Sequence, residues 1–411
     1  MVDQMAIRAF CGQTLVVACL SACQGSGSTS SASSTGSEGT AAGSSTGSSS
    51  GGMSTGGASS SASGSTGSSG GGSSTGSQTT GGTVSGSSTG GALLGSVTTI
   101  AGGGLGEGGS CLPYGVESDF EPTGIAVDSS GGILVATAEL DDVENDGGLS
   151  ILVPSSQGQV GSVAVGGPSS IVVSTGSEVY LVSGSTLAHL AGGAPGCGDT
   201  GSDAGVGFWA VGALAFGPDG YIYVGDTDNT LDELCNRIRK IAPDGTTTTL
   251  SGAGLPGFAD GPPETAGFYD PSGIVVDDAG YVYVGDTGNN RIRKVAPDGT
   301  ASTLAGGYTV GFDDGPGGPQ GTATFSDPRG IALDAQGNLY VADRGNYAIR
   351  KVAPDGTTTT IAGTGQAGFM DGTLGRNGTA RFYNPVGVAL GDAREIYVAD
   401  YCWLRVIRFD Q

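Results

Sequence analysis

Three stretches of the sequence are near copies of one another: Gly273 to Asp286 (GIVVDDAGYVYVGD), Gly330 to Asp343 (GIALDAQGNLYVAD) and Gly387 to Asp400 (GVALGDAREIYVAD). Asp286, Asp343 and Asp400 follow one another at 57-residue intervals. A fixed period of this length marks a repeat architecture, in which one unit cannot bury its own apolar face and must stack on its neighbours. Any fold for this chain has to be a closed or stacked array.

Each unit parses into four strands. In the copy that starts at Gly330, a short apolar strand runs to Asp334 and a tight turn follows at Ala335 to Asn338. Leu339 to Ala342 and Ile349 to Val352 are the next two strands, with alternating pattern. Pro354-Asp-Gly-Thr357 has the composition of a type I turn. The β-branched run Thr358 to Ala362 is the fourth strand. The same turn recurs at Pro243 and Pro297, and no segment shows a helical period. Six units fit the chain, with first strands starting near Gly124, Ser170, Ala213, Gly273, Gly330 and Gly387. The expected fold is all-β, a six-bladed β-propeller. The last unit lacks a fourth strand, and Gly95 to Gly102 (GSVTTIAG) matches Gly356 to Gly363 (GTTTTIAG). The N-terminal strand is therefore expected to complete the final blade and close the ring.

The patterns Pro-x-Gly-Ile-Ala-Val-Asp, Gly-x-Tyr-Val-Ala-Asp and Asn-x-Arg-Ile-Arg-Lys-Val resemble NHL repeats. The likeness is good from Phe208 to Gln411 and weaker in the first two units. Resemblance to NHL propellers implies a non-catalytic module that meets a protein, peptide or glycan through its top face.

The rest of the chain divides into a leader and a tether. Arg8 precedes the apolar run Leu15 to Leu20, and Leu20-Ser-Ala-Cys23 resembles the lipobox of bacterial lipoproteins. This implies a signal peptide at 1–22, acylation of Cys23, and residence in the cell envelope, at the outer membrane or cell surface. Contact with the membrane would be through the lipid anchor alone, since the apolar run is too short to span. Residues 23–94 are almost wholly Ser, Gly, Thr and Ala after Cys23, too poor in apolar surface to fold. They read as a disordered tether with an r.m.s. span of about 45 Å. Residues 95–411 form the propeller, expected as a monomer.

The formal net charge is −23 with only 16 Lys and Arg, so nucleic acid is not an expected partner. The chain has a single His, His189, which disfavours chemistry that needs a His base or a His-held metal. Six-bladed lactonases of the gluconolactonase type work with a calcium held by Glu, Asn and Asp around the channel. Here the tops of the first strands offer Thr123, Ser169, Gly212, Ser272, Arg329 and Val386, with no carboxylate and no Asn. A calcium-dependent hydrolase or lyase is accordingly the rival reading, and no cofactor is required. Two acidic segments break the repeat and read as solvated acidic loops or, as the rival, as calcium sites. One contains Asp142, Glu144 and Asp146 in place of the loop after strand two of the first unit, and the other contains Asp226, Asp228 and Asp232. Alternating oxygens before a Gly suit a calcium loop, but Val153 stands where a closing Glu would lie.

Four cysteines remain in the folded part, and none forms a CxxC pair. The loop positions favour disulfides Cys197–Cys235 and Cys111–Cys402, each contributing about 2–4 kcal/mol. The strand-end aspartates recur in phase and read as partners of loop amides and of arginines such as Arg293 and Arg350. The blade-to-blade segments carry Phe258 and Asp260, Phe312 and Asp314, and Phe369 and Asp371. These read as a Phe wedge with an Asp-Gly turn, or, with Arg329, as a rim offered to a partner.

Overall fold

The computed structural model describes residues 93–102, 123–143, 149–167, 170–200, 207–227, 235–307, 309–392 and 394–410. The leader, Cys23 and most of the tether lie outside them. The described residues form six antiparallel sheets and contain no α-helix. Five sheets have four strands in simple sequential order. The first strands neighbour one another in a closed circle, from Gly124–Val127 through Ser162–Gly166, Ala210–Phe216, Pro271–Val276, Pro328–Leu333 and Pro385–Leu390 back to Gly124–Val127. This is a six-bladed propeller.

The sixth blade is closed as expected. Gly95–Gly102 pairs antiparallel with Trp403–Phe409, with Val97 opposite Ile407 and Thr99 opposite Arg405. A two-residue strand, Gly372–Thr373, pairs on its outer edge and makes this sheet five-stranded.

Blades stack face to face, so second strands are covered on both sides. Every residue of Leu339–Asp343 and of Val282–Asp286 is buried. Phe208, Phe268, Phe325 and Phe382 are fully buried wedges just ahead of the first strands of blades 3 to 6. At the lower face, Asp298 Oδ1 accepts the amide of Thr300 at 2.9 Å, and Asp244 and Asp355 repeat the bond to Thr246 and Thr357. Gly299 takes φ 85° in its turn, and a Cβ there would strike the Leu250 carbonyl of the preceding blade, so the turn needs glycine.

Two expectations about the early blades are corrected. Blade 2 begins at Ser162, and Ser170–Thr175 is its second strand, paired with Ser162–Gly166 on one side and Glu178–Ser183 on the other. The blade is short because its hairpins close through two-residue turns, Gly176-Ser177 and Gly184-Ser185, with both glycines at positive φ. No strand is lost. At the channel mouth, the blade 2 position is therefore Gly161, whose amide bonds Ser174 O as the Thr123 amide bonds Ala136 O. Ser169 lies outside the described residues. In blade 1, Leu140–Val143 is the third strand, so Asp142 stands within a sheet, opposite Leu134 and Ser150. It does not stand in a loop after strand two.

Candidate ligand-binding face

One buried cluster recurs in blades 3 to 6. Asp286 ends the second strand of blade 4, fully buried, and accepts Arg293 NH1 at 2.7 Å and the Tyr269 amide at 2.8 Å. Arg293 NH2 reaches Asp260 Oδ1 at 2.8 Å in the blade-to-blade segment, and Thr303 of the fourth strand donates to the same oxygen. The guanidinium lies between Phe258 and Phe268, 4.9 and 5.0 Å from their centroids. Blade 3 repeats this with Asp226, Arg239, Asp199 and Thr249, and blade 5 with Asp343, Arg350, Asp314 and Thr360. In blade 6, Asp400, Arg405 and Asp371 are joined by Thr99, which the N-terminal strand supplies. The closing strand thus restores a polar network as well as a sheet edge.

Burial pushes these strand-end carboxyls up, against the pull of each arginine. Asp226 moves to about 7, Asp343 and Asp400 to about 6, and Asp286 moves in the same direction. Each cluster pins a blade-to-blade segment to the sheet. It therefore occupies most of the residues read as a rim. Asp260, Asp314 and Asp371 each give an oxygen to an arginine. The Phe258 ring lies over Arg291 at 3.8 Å, and Phe312 lies near Arg376 and Arg350.

Phe369 differs. Trp403 stands opposite Asp400, the place that Arg291 takes opposite Asp286. Phe369 therefore meets an indole, with centroids 3.5 Å apart, and also stacks on Tyr383 at 4.7 Å. Tyr383 in turn meets Tyr401 at 5.2 Å. Tyr383 is 43% exposed, and Met370 beside Phe369 is exposed as well. Phe369, Tyr383 and Tyr401 sit at connections of the upper face, and Trp403 opens the third strand beside them. Tyr401 adopts φ 53°, a left-handed conformation costly for an aromatic residue. Tyr383, Tyr401 and Trp403 were not singled out from the sequence. Of these, Trp403 departs from the repeat, standing where blade 4 has Arg291, whereas Tyr383 repeats Tyr269 of blade 4 and gave no such signal.

The channel mouth carries a second departure. Pairing of the first strands slips near their starts in blades 3 to 6, which leaves Gly212, Ser272, Arg329 and Val386 at bulges. Only blade 5 places a charge there. Arg329 Nε lies 3.3 Å from Asp327 Oδ1, and its side chain is 17% exposed. Arg344 follows the second strand of the same blade, where blade 4 has Thr287. Arg344 NH1 bonds Asp327 Oδ2, and Nε donates to Asn384 Oδ1 at 2.5 Å. Two guanidinium groups thus share one carboxylate.

The calcium candidates are dispersed. Glu144, Asp146, Asp228 and Asp232 lie outside the described residues. Asp226 has one oxygen on Arg239 and the other on the Trp209 amide. Among the described residues, no group of three or more His, Cys, Asp or Glu side chains could hold a metal ion. His189 packs edge-on against Tyr180, 3.8 Å from Glu178. Cys197 and Cys235 form the expected disulfide, with Cα atoms 5.1 Å apart. Cys402 is also disulfide-bonded. Cys111 lies outside the described residues.

Blade 1 inverts the cluster. Asp141 stands opposite Val135, as Arg293 stands opposite Val284. It is 6% exposed and accepts the Thr137 hydroxyl at 3.0 Å. Burial raises its pKa, and the Glu139 charge adds to the rise. An acid with a raised folded pKa contributes most below its ordinary value, and that contribution is lost as pH climbs through the folded pKa. Asp141→Asn is expected to be more stable than the parent chain at pH 7.5, where the buried acid is charged. The gain should shrink toward pH 4. Urea unfolding at the two pH values checks this, and equal destabilisation at both would contradict it.

Residues 268–295 and 325–352 match the NHL repeat family. The chain is 35% identical over 152 residues to NHL repeat-containing protein 2 of Bos taurus, covering 34% of this chain and 20% of that protein. It spans about a fifth or less of the length of the curated relatives first matched. An auxiliary nutrient binding protein from Bacteroides thetaiotaomicron superposes with TM-score 0.57 at 17% identity, over 77% of this chain and 76% of that one. A gluconolactonase from Xanthomonas campestris superposes with TM-score 0.50 at 15% identity, over 78% and 98%. At these identities the structures bear on fold alone. Matched repeats and closed ring together make the chain a six-bladed β-propeller carrying NHL repeats.

Proposed function

We propose that this chain is a non-catalytic binding module of the bacterial cell envelope, lipid-anchored through Cys23 and displayed on its tether. The observation that carries the reading is the row of Phe369, Tyr383, Tyr401 and Trp403 on the upper face of blade 6. The repeated aspartates and arginines are consumed in holding the ring, whereas in blade 6 Trp403 and Tyr401 join the repeat residue Phe369 and the exposed Tyr383 in one aromatic row. Tyr, Trp and Arg are the side chains that most often dominate binding energy at interfaces. The Bacteroides proteins of this fold that are described as nutrient-binding favour the same reading. We also propose that Cys111 is the partner of Cys402, beside this face.

The test screens the full chain against protein, peptide and glycan ligands and, with millimolar calcium, against lactones and esters. Expected are binding that Tyr383→Ala and Trp403→Ala each weaken about tenfold or more, and no turnover. Calcium-dependent turnover lost on changing residues at the channel mouth would instead support the hydrolase or lyase reading.

A further inference from the structure

We infer that the ligand of this face is a glycan bearing uronic acid carboxylates, with sugar rings on the blade 6 aromatics and a carboxylate between Arg329 and Arg344. The inference rests on the binding-module reading and names its ligand class. Three observations carry it.

First, Arg329 is an underused cation. Its guanidinium makes no hydrogen bond among the described residues; its Nε is buried without one, as are those of Arg239, Arg293, Arg350 and Arg405, and its terminal nitrogens have none either. Its one ion contact is with Asp327, which Arg344 also holds. The buried arginines of blades 3 to 6, by contrast, each bond two carboxylates and two backbone carbonyls. Its terminal donors have no protein partner among the described residues, and an arriving carboxylate would fill them in a bidentate way.

Second, the local charge opposes that of the molecule. Arg329, Arg344 and Asp327 sum to one positive charge in a chain of net charge −23. An anion would be repelled by most of this surface, so a site for one needs local excess cation. Both arginines depart from the repeat, where Ser272 and Thr287 stand in blade 4.

Third, the cations and the rings are joined by one residue. Asn384 follows Tyr383 in the chain, accepts Arg344 Nε at 2.5 Å, and takes the Tyr401 amide on its carbonyl at 3.2 Å. Its own amide is anchored on Asp400. The neighbouring rings meet at centroid distances of 3.5 to 5.2 Å and form a continuous apolar surface. Such a surface suits the C–H faces of successive pyranose rings, which are apolar where their edges are polar. A chain of uronates supplies ring face and carboxylate together at each residue.

The experiment is calorimetric titration of the full chain with oligomers of galacturonate, glucuronate and mannuronate, and with their carboxyl-reduced counterparts. At least one uronate should bind, and its carboxyl-reduced form about tenfold or more weaker. Arg329→Gln, Arg344→Gln and Tyr383→Ala should each weaken the uronate about tenfold. Asp327→Asn should tighten it several-fold by removing the competing carboxylate. Asn keeps the φ of 53° found at Asp327, so this variant reads binding even if an arginine variant misfolds. Binding that ignores carboxyl reduction, or is unchanged in Asp327→Asn and the arginine variants, overturns the inference. So does failure of every uronate. Capture of neutral glycans or acidic peptides by the same rings would overturn the uronate and leave the binding-module reading standing, whereas turnover of a lactone would overturn that reading itself.

Discussion

A chain from which residues 95–102 are excised is expected to lose cooperative folding altogether. Gly95–Gly102 is the outer partner of Trp403–Phe409, and among the described residues no other segment pairs with that edge. Without it, the edge of Trp403–Phe409 presents unpaired amides and carbonyls, an invitation to association. The fully buried Val97 leaves a cluster that includes Ile361, Phe382 and Ile407. The Arg405 network also loses the Thr99 hydroxyl and amide, both of which donate to Asp371. The last sheet would then neither complete its core nor hold the loop between blades 5 and 6. Thermal melts by circular dichroism and size-exclusion chromatography should show a broad transition and aggregates. A monomer that still melts cooperatively within a few degrees of the intact chain would show that the ring does not depend on this strand.

The second large effect is expected at the buried clusters. Arg350→Leu leaves Asp343, which is fully buried, without its cation, and frees Asp314 and the Asp313 carbonyl from theirs. Removing one partner of a buried pair costs about 3–5 kcal/mol, roughly 6–10 °C in a domain of this size. The pH profile gives a sharper signature. Burial already lifts the Asp343 carboxyl to about 6, and Arg350 is the charge that restrains it. In the variant the folded pKa rises further above the unfolded value, so the folded state binds the extra proton. Stability is then retained at low pH and lost as pH rises through the folded pKa. The deficit of Arg350→Leu should widen as pH rises above about 6, where the parent carboxyl has already ionised beside Arg350, and narrow toward pH 5. Arg350→Leu with Asp343→Leu should recover much of the loss at neutral pH. A single variant whose deficit is the same at pH 5 and pH 8 would contradict this account.

Much of the ring was legible in the sequence because its period is carried by residues that repeat for structural reasons. Gly273, Gly330 and Gly387 pack against neighbouring first strands, and Asp286, Asp343 and Asp400 each bond an arginine. The closing strand was legible as well, since Gly95 to Gly102 copies the fourth strand of blade 5 and Thr99 does the work of Thr360. Blade 2 was misphased for a specific reason. Ile171-Val-Val173 has the same apolar alternation as Ile274-Val-Val276, and a period of two cannot tell a first strand from a second. Only the pairing of Val173 with both Val163 and Tyr180 decides it.

The candidate site was less legible. Arg329 was read as part of the rim, and Phe369 as a wedge or a rim residue. Their relevant neighbours are distant in sequence. Trp403 reaches Phe369 because it stands opposite Asp400 where blade 4 has an arginine, and Arg344 reaches Asn384 across the boundary between blades 5 and 6. Such proximity comes from the stacking of one repeat on the next, which no local pattern encodes. The acidic segments that broke the repeat were conspicuous by charge, while the aromatic row was inconspicuous because Phe369 and Tyr383 have counterparts in Phe258 and Tyr269 and only Trp403 and Tyr401 are added to them.

Hydrogen–deuterium exchange of the full chain with and without a saturating galacturonate, glucuronate or mannuronate oligomer tests the central claim most directly. The account expects protection confined to the upper face of blades 5 and 6, around Asp327 to Gly330, Arg344 to Tyr347, Phe369, Tyr383 to Asn384 and Tyr401 to Trp403. Protection centred on the lower turns at Asp298 and Asp355, or spread evenly around the six blades, would contradict it.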